Sequence, residues 1–145
     1  MIQRIQTVFL LIAAIAFGLL FQFPFASSTT NTGNLFRDGV YNLNDHTILL
    51  ILSIAGAILA VVNIFLFKNR PLQSRLSYLI VVFGVLLAFV ATFFFMNESK
   101  DMAETQVVND QAGMYMPILV IIFGILASVF INKDEKLVRS SDRLR

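Results

Sequence analysis

The sequence predicts an all-α, polytopic membrane protein with four transmembrane helices, built as two tandem helical hairpins in a single domain, residues 1–145. Three observations predict it. The composition is 57% hydrophobic and only 14% charged, where soluble domains average about 45–50% and about 25%. That much apolar surface needs lipid as its solvent. Four stretches, Ile5–Phe25, Thr47–Phe67, Leu76–Met96 and Gly113–Ile131, contain no Asp, Glu, Lys or Arg. A span takes about 20 mostly apolar residues because the hydrocarbon is about 30 Å thick. Finally, Lys and Arg gather on alternate sides of these stretches.

The first stretch follows Arg4. It reads as a retained span rather than a cleaved signal peptide, because Pro24 stands three residues before the likeliest cut, after Ala26, where a small residue is wanted. The outer loop 26–46 carries turn chemistry in "TTNTGN" and "RDG", with Phe36 and Tyr41 suited to a membrane interface. The second stretch leads into the inner turn 68–75, "KNRPLQSR", with Lys68, Arg70 and Arg75. The outer loop 97–112 is acidic, with Glu98, Asp101, Glu104 and Asp110. The fourth stretch is the shortest, and Pro117 either lies in its first turn or kinks it. The tail, 132–145, is basic overall. The outer loops hold only Arg37 and Lys100, so the positive-inside rule puts both termini in the cytoplasm. A weak match between residues 60–72 and 125–137 fits either a duplicated hairpin or chance similarity of two inner helix ends.

Every span carries two small residues four positions apart: Ala14/Gly18, Gly56/Ala60, Gly84/Ala88 and Gly124/Ser128. In lipid, close approach through small residues gives helices a reason to associate that burying leucine does not. These eight residues are the expected packing belt.

Several classes of function are disfavoured. There is no cysteine, which removes disulfides, thiolate metal sites and thiol-redox chemistry. No ionisable residue lies within a span, against the usual sign of transport or proton relay. Asn63, Ser53, Ser77, Thr92 and Ser128 are mild polar groups, and the hydroxyls can return bonds to their own helices. His46, the one histidine, could join Asp45, Asp38 or an acid of the other outer loop around a divalent cation. The simpler reading is an interfacial histidine beside a helix cap. No catalytic set or phosphate-binding loop is present, so no enzyme, cofactor or metal is expected. A net charge of +2 does not suggest nucleic acid.

The tail mixes signs: Lys133, Asp134, Glu135 and Lys136, then "LVRSSDRLR". If the tail is helical, Glu135 and Arg139 fall four apart and can pair; "VRSSDRLR" then breaks the sign pattern, and Ser140 or Ser141 could cap a short terminal turn. Acids weaken an electrostatic lipid anchor. Mixed charge suits a protein surface or the inner turn, with a solvated flank as the alternative.

The segments "MIQRIQTVFLL", "KNRPLQSRL", "YMPILVIIFGILA" and "KDEKLVRSSDRLR" closely resemble domain-of-unknown-function family 4293, small four-span membrane proteins of Bacteroidota. The resemblance covers the whole chain. It implies an inner-membrane protein of a diderm bacterium with its acidic loop in the periplasm, and it implies no reaction. On the family's tail pattern Lys133, Asp134, Leu137, Arg139, Ser140, Asp142 and Arg143 match, and these are the expected docking residues. The expected partners are the lipid bilayer and either another membrane protein or a second copy. The expected role is an accessory or scaffold subunit. The alternative is a small oligomeric transporter or channel with Asn63, Ser53 and Thr92 lining its pore.

Overall fold

The computed structural model describes residues 3–28, 38–98 and 108–142. "TTNTGN", Phe36, Arg37, Lys100, Asp101, Glu104 and Arg143 lie outside the described residues. Four helices run in order: α1 Gln3–Leu19, α2 Thr47–Phe65, α3 Arg70–Glu98 and α4 Met116–Asp142. Three short strands stand between them: β1 Ala26–Ser28, β2 Val40–Tyr41 and β3 Val108–Asp110. Helices α2, α3 and α4 are long and apolar enough to cross a membrane, whereas α1 is shorter.

The lengths reverse one expectation. The first helix is the short one: α1 has 17 residues, or about 25 Å. It stops at Leu19, and residues 20–25 turn instead of completing the expected stretch to Phe25. Pro24 has no N–H to donate and disfavours helix at Phe23 before it. The fourth helix is long. A 3-10 turn over Ala112–Tyr115 leads into α4, which continues unbroken through the tail to Asp142, so Ser140 and Ser141 lie within that helix and do not begin a separate terminal turn. Pro117 falls in the first turn of α4, where no helical donor is lost. Pro71 does the same in α3, and α3 therefore begins inside the expected inner turn, shrinking it to residues 66–69.

The helices form a ring in which α1 packs on α2, α2 on α3, α3 on α4, and α4 back on α1. Each buries one stripe spaced alternately three and four residues apart. The stripes read Gln6, Leu10, Ala13, Phe17, Leu20; then Leu49, Ser53, Gly56, Ala60, Asn63; then Gln73, Ser77, Ile80, Gly84, Leu87, Ala91; and Pro117, Val120, Gly124, Ala127, Ile131, Asp134. This is the spacing that keeps one face of a helix on its neighbours. The outward faces are also apolar, with Ile51, Ile58, Val82, Phe89, Ile122 and Val129 among the exposed side chains.

At one end of the bundle, termed outer after the expected topology and the opposite end inner, the loops form an antiparallel sheet in the order β2-β1-β3. Ala26 pairs with Tyr41 on one side and Asp110 on the other. The pattern continues past the strands, with Phe25 N donating to Tyr41 O at 2.8 Å, Gln111 N to Phe25 O at 3.1 Å and Gly113 N to Pro24 O at 2.9 Å. The backbone groups released where α1 stops early are thus paired again. Gly113 allows the approach: a Cβ there would lie 2.5 Å from Phe23 O. Gly39, at φ 75°, turns the chain into β2 in the left-handed region that favours glycine.

The small residues divide by helix. A Cβ on Gly56 would meet the Phe17 ring at 2.6 Å. Gly84 and Gly124 serve the α3–α4 contact reciprocally, facing Val120 Cγ1 at 2.9 Å and Val81 Cγ2 at 2.8 Å. Ala60 and Ser128 are buried, while Ala14 and Ala88 are half-buried. Gly18 stands apart: it is exposed, and a Cβ on it would meet nothing within 4 Å. Ala13, Ala16 and Ala127 fill the corresponding close positions.

Overpacking a fitted interior typically costs about 1–3 kcal/mol. Gly56→Leu and Gly84→Leu should each lower the melting temperature in detergent. Leu86→Ala, on an exposed face, and Gly18→Ala should change it little. Equal losses from all four, by differential scanning fluorimetry, would show that the glycine contacts do not limit packing.

Candidate functional site: a buried polar layer at the inner helix ends

Each stripe ends in polar side chains at the same end of the bundle. Gln6, Asn63, Gln73, Ser74, Ser77 and Asp134 are all buried there. Antiparallel order places the start of α1 beside the end of α4, and the end of α2 beside the start of α3, so these residues meet.

Two groups of bonds result. Between α2 and α3, Gln73 Nε2 donates to Asn63 O at 3.2 Å. Asn63 Nδ2 donates to Ser77 Oγ at 2.9 Å, and Ser77 passes its own proton to Gln73 O at 3.0 Å. Around α4, Gln6 Nε2 donates to Asp134 Oδ2 at 2.5 Å and to Phe130 O at 3.1 Å. Arg70 donates to Asp134 O at 3.3 Å. Ser74 Oγ donates to Asn132 Oδ1 at 2.6 Å, and Asn132 Nδ2 to Tyr78 OH at 3.0 Å. The base of the tail is therefore held by α1 and by the first turns of α3.

Asp134 is the most consequential member. It is 6% exposed and carries a carboxylate. Removing the donor from a buried charged acceptor costs more than an ordinary hydrogen bond contributes. Asn63 Oδ1 and Ser53 Oγ are buried with no partner among the described residues. Thr92 and Ser128 return their hydroxyl bonds to Ala88 O and Ile125 O as expected of span hydroxyls.

The docking residues are placed unequally. Lys133 is exposed, Asp134 is buried, and Leu137 is 49% exposed. Arg139, Ser140 and Asp142 lie on the last turns of α4, and Arg143 falls beyond the described residues. Asp134 thus belongs to the bundle's own interior rather than to a free docking face. At the other end, His46 stacks on Phe94 with ring centroids 3.7 Å apart and an 11° tilt. Among the described residues no group of three or more His, Asp or Glu side chains converges as a metal site would need.

Gln6, Gln73, Ser74 and Asn132 were not expected from the sequence. The available signal was register. Continuing each buried stripe by one step toward the inner side lands on Gln6, Asn63, Gln73 and Asp134.

Replacing both partners of a buried bond by apolar groups is far less harmful than removing one. Gln6→Leu should destabilise the protein by about 1–3 kcal/mol, and adding Asp134→Leu should recover most of that loss. Denaturation in mild detergent reads the cycle. Additive losses would show that the two side chains do not interact.

The model of one protein family matches residues 2–144: Domain of unknown function (DUF4293). No curated protein and no solved structure is similar enough to match the chain. The match takes in all four helices, the polar layer and the tail, and the chain belongs to the DUF4293 family.

Proposed function

We propose that this protein is a non-enzymatic, four-span protein of the bacterial inner membrane, with both termini cytoplasmic, acting as an accessory or scaffold subunit. It docks on a membrane-protein partner through the helical extension of α4. The observation that carries this reading is the join at Asp134. There α4 leaves the apolar stripe, is gripped by Gln6 and Arg70, and continues as helix to Asp142. A solvated flank needs no such grip. A helix fixed at its base holds its outer residues in one arrangement, which lowers the ordering cost of binding. Three apolar helices support insertion. The short α1 suits a span completed at the outer interface by residues 20–25 and the sheet.

The oligomeric-pore alternative has less to support it. Of its three pore residues, Ser53 and Asn63 are wholly buried inside the bundle of a single chain, which speaks against a lining between copies, and only Thr92 is exposed.

Periplasmic reporter fusions at Gly33, Lys100 and Arg145 should be active, active and inactive. Activity at Arg145 would refute the topology. Arg makes forked bonds to carboxylates that Lys cannot copy. Arg139→Lys with Arg143→Lys should therefore keep the topology and lose a co-purifying partner. Scrambling residues 135–145 at fixed composition should do the same. Unchanged partners with both variants, read by mass spectrometry after mild-detergent purification, would leave the tail as a flank.

A further inference from the structure

The outer end of the bundle contains a cavity of about 240 Å³ between α3 and the start of α4, under the sheet. Its origin is local. The segment entering α4 is pinned toward α1 by the β1–β3 pairing and by Gly113 N to Pro24 O. The facing turn of α3 offers small side chains at Ala88 and Ala91, and α4 offers Pro117. Two helices that touch at Gly84 and Gly124 are left with a gap one or two turns farther out.

The lining is apolar in effect. Phe25 and Phe95 supply ring faces. The hydroxyls are turned onto backbone carbonyls, Tyr41 OH to Ala91 O at 3.2 Å and Thr92 Oγ1 to Ala88 O at 2.8 Å. Tyr115 and Ile118 belong both to its lining and to the exposed outward face of the bundle, so the cavity meets the surroundings there. Its upper rim carries Asp110, an exposed carboxylate on the edge strand β3. The volume falls below the roughly 300–1,000 Å³ of sites for drug-sized ligands. It suits part of one alkyl chain.

We propose that this cavity is a binding site for one alkyl chain of an amine-headed membrane lipid, whose ammonium group pairs with Asp110. The proposal rests on the membrane-spanning reading, which brings lipid chains to the mouth. Burial in the gap supplies contact along the chain that the fluid bilayer lacks. The carboxylate at the rim selects the head, since an anionic head would be repelled there.

The test uses the full chain reconstituted in vesicles of mixed phosphatidylethanolamine and phosphatidylglycerol. A trace of either lipid carries a photoactivatable diazirine near one chain end, and crosslinks are mapped by mass spectrometry. The amine-headed probe should label residues 88–95 and 114–118 above the general level at Ile51 and Ile58. It should exceed the phosphatidylglycerol probe about two- to fivefold, the size of an exposed ion pair. Ala88→Leu fills the gap and should abolish the cluster while leaving Ile51 and Ile58 labelled, which also shows the variant is inserted. Asp110→Asn, on the surface, should keep the cluster and lose the head preference. Even labelling around the bundle overturns the proposal while the membrane reading stands. Equal labelling by both probes overturns the assignment of the amine. Absence of labelling at Ile51 and Ile58 overturns the membrane reading itself.

Discussion

Three of the four helix contacts in this ring are between helices consecutive in sequence, and one is not. The chain brings α1 to α2, α2 to α3 and α3 to α4. Nothing in the connectivity brings α1 to α4. That closure depends on direct contact, and it is made at both ends and along the middle. At the inner end Gln6 reaches Phe130 O and Asp134. In between, Phe9 packs against Phe123 and Phe130, with ring centroids 6.1 and 5.3 Å apart. At the outer end the strand after α1 pairs with the strand before α4. The rest of the architecture depends on this seam: without it the two hairpins share only the α2–α3 contact.

The two ends solve one problem differently. Polar groups away from water need partners. At the inner end the polar groups are side chains, and they bond in small sets between neighbouring helices that leave Asn63 Oδ1 without a partner among the described residues. At the outer end they are backbone groups, exposed because α1 stops early, and a sheet pairs them. Both devices place directional bonds where packing forces alone say little about register. In apolar surroundings this gives the bundle its alignment, while Gly56, Gly84 and Gly124 set how closely the helices approach.

Much of the fold is legible in the sequence, and the misses have physical reasons. Four apolar stretches free of charge locate the helices well. Hydropathy cannot locate the stripes, because side chains facing outward and side chains facing neighbours are equally apolar. Only register separates Gly18, which points outward, from Ala13 and Ala16, which do not. The helix ends follow prolines rather than apolar runs: Pro24 shortens α1, while Pro71 and Pro117 sit in first turns. The sheet was hidden because its strands have two or three residues and their partners lie in distant loops. No local pattern encodes such pairing. The site was half visible. Asn63 and the tail drew notice as polar residues at an inner end, but Gln6 and Gln73 look like ordinary interfacial glutamines until the stripes are drawn.

The bonds that close the seam join residues 124 and 128 positions apart in sequence. Their timing follows from that separation. During synthesis α1 leaves the ribosome before α4 and waits for it. Throughout that interval Gln6 lacks its acceptor and β1 lacks one of its two partners. The nascent protein therefore carries an open polar seam until α4 has been made. A chain interrupted before α4 keeps that seam open, with Gln6 and one edge of β1 without the partners they have in the finished bundle.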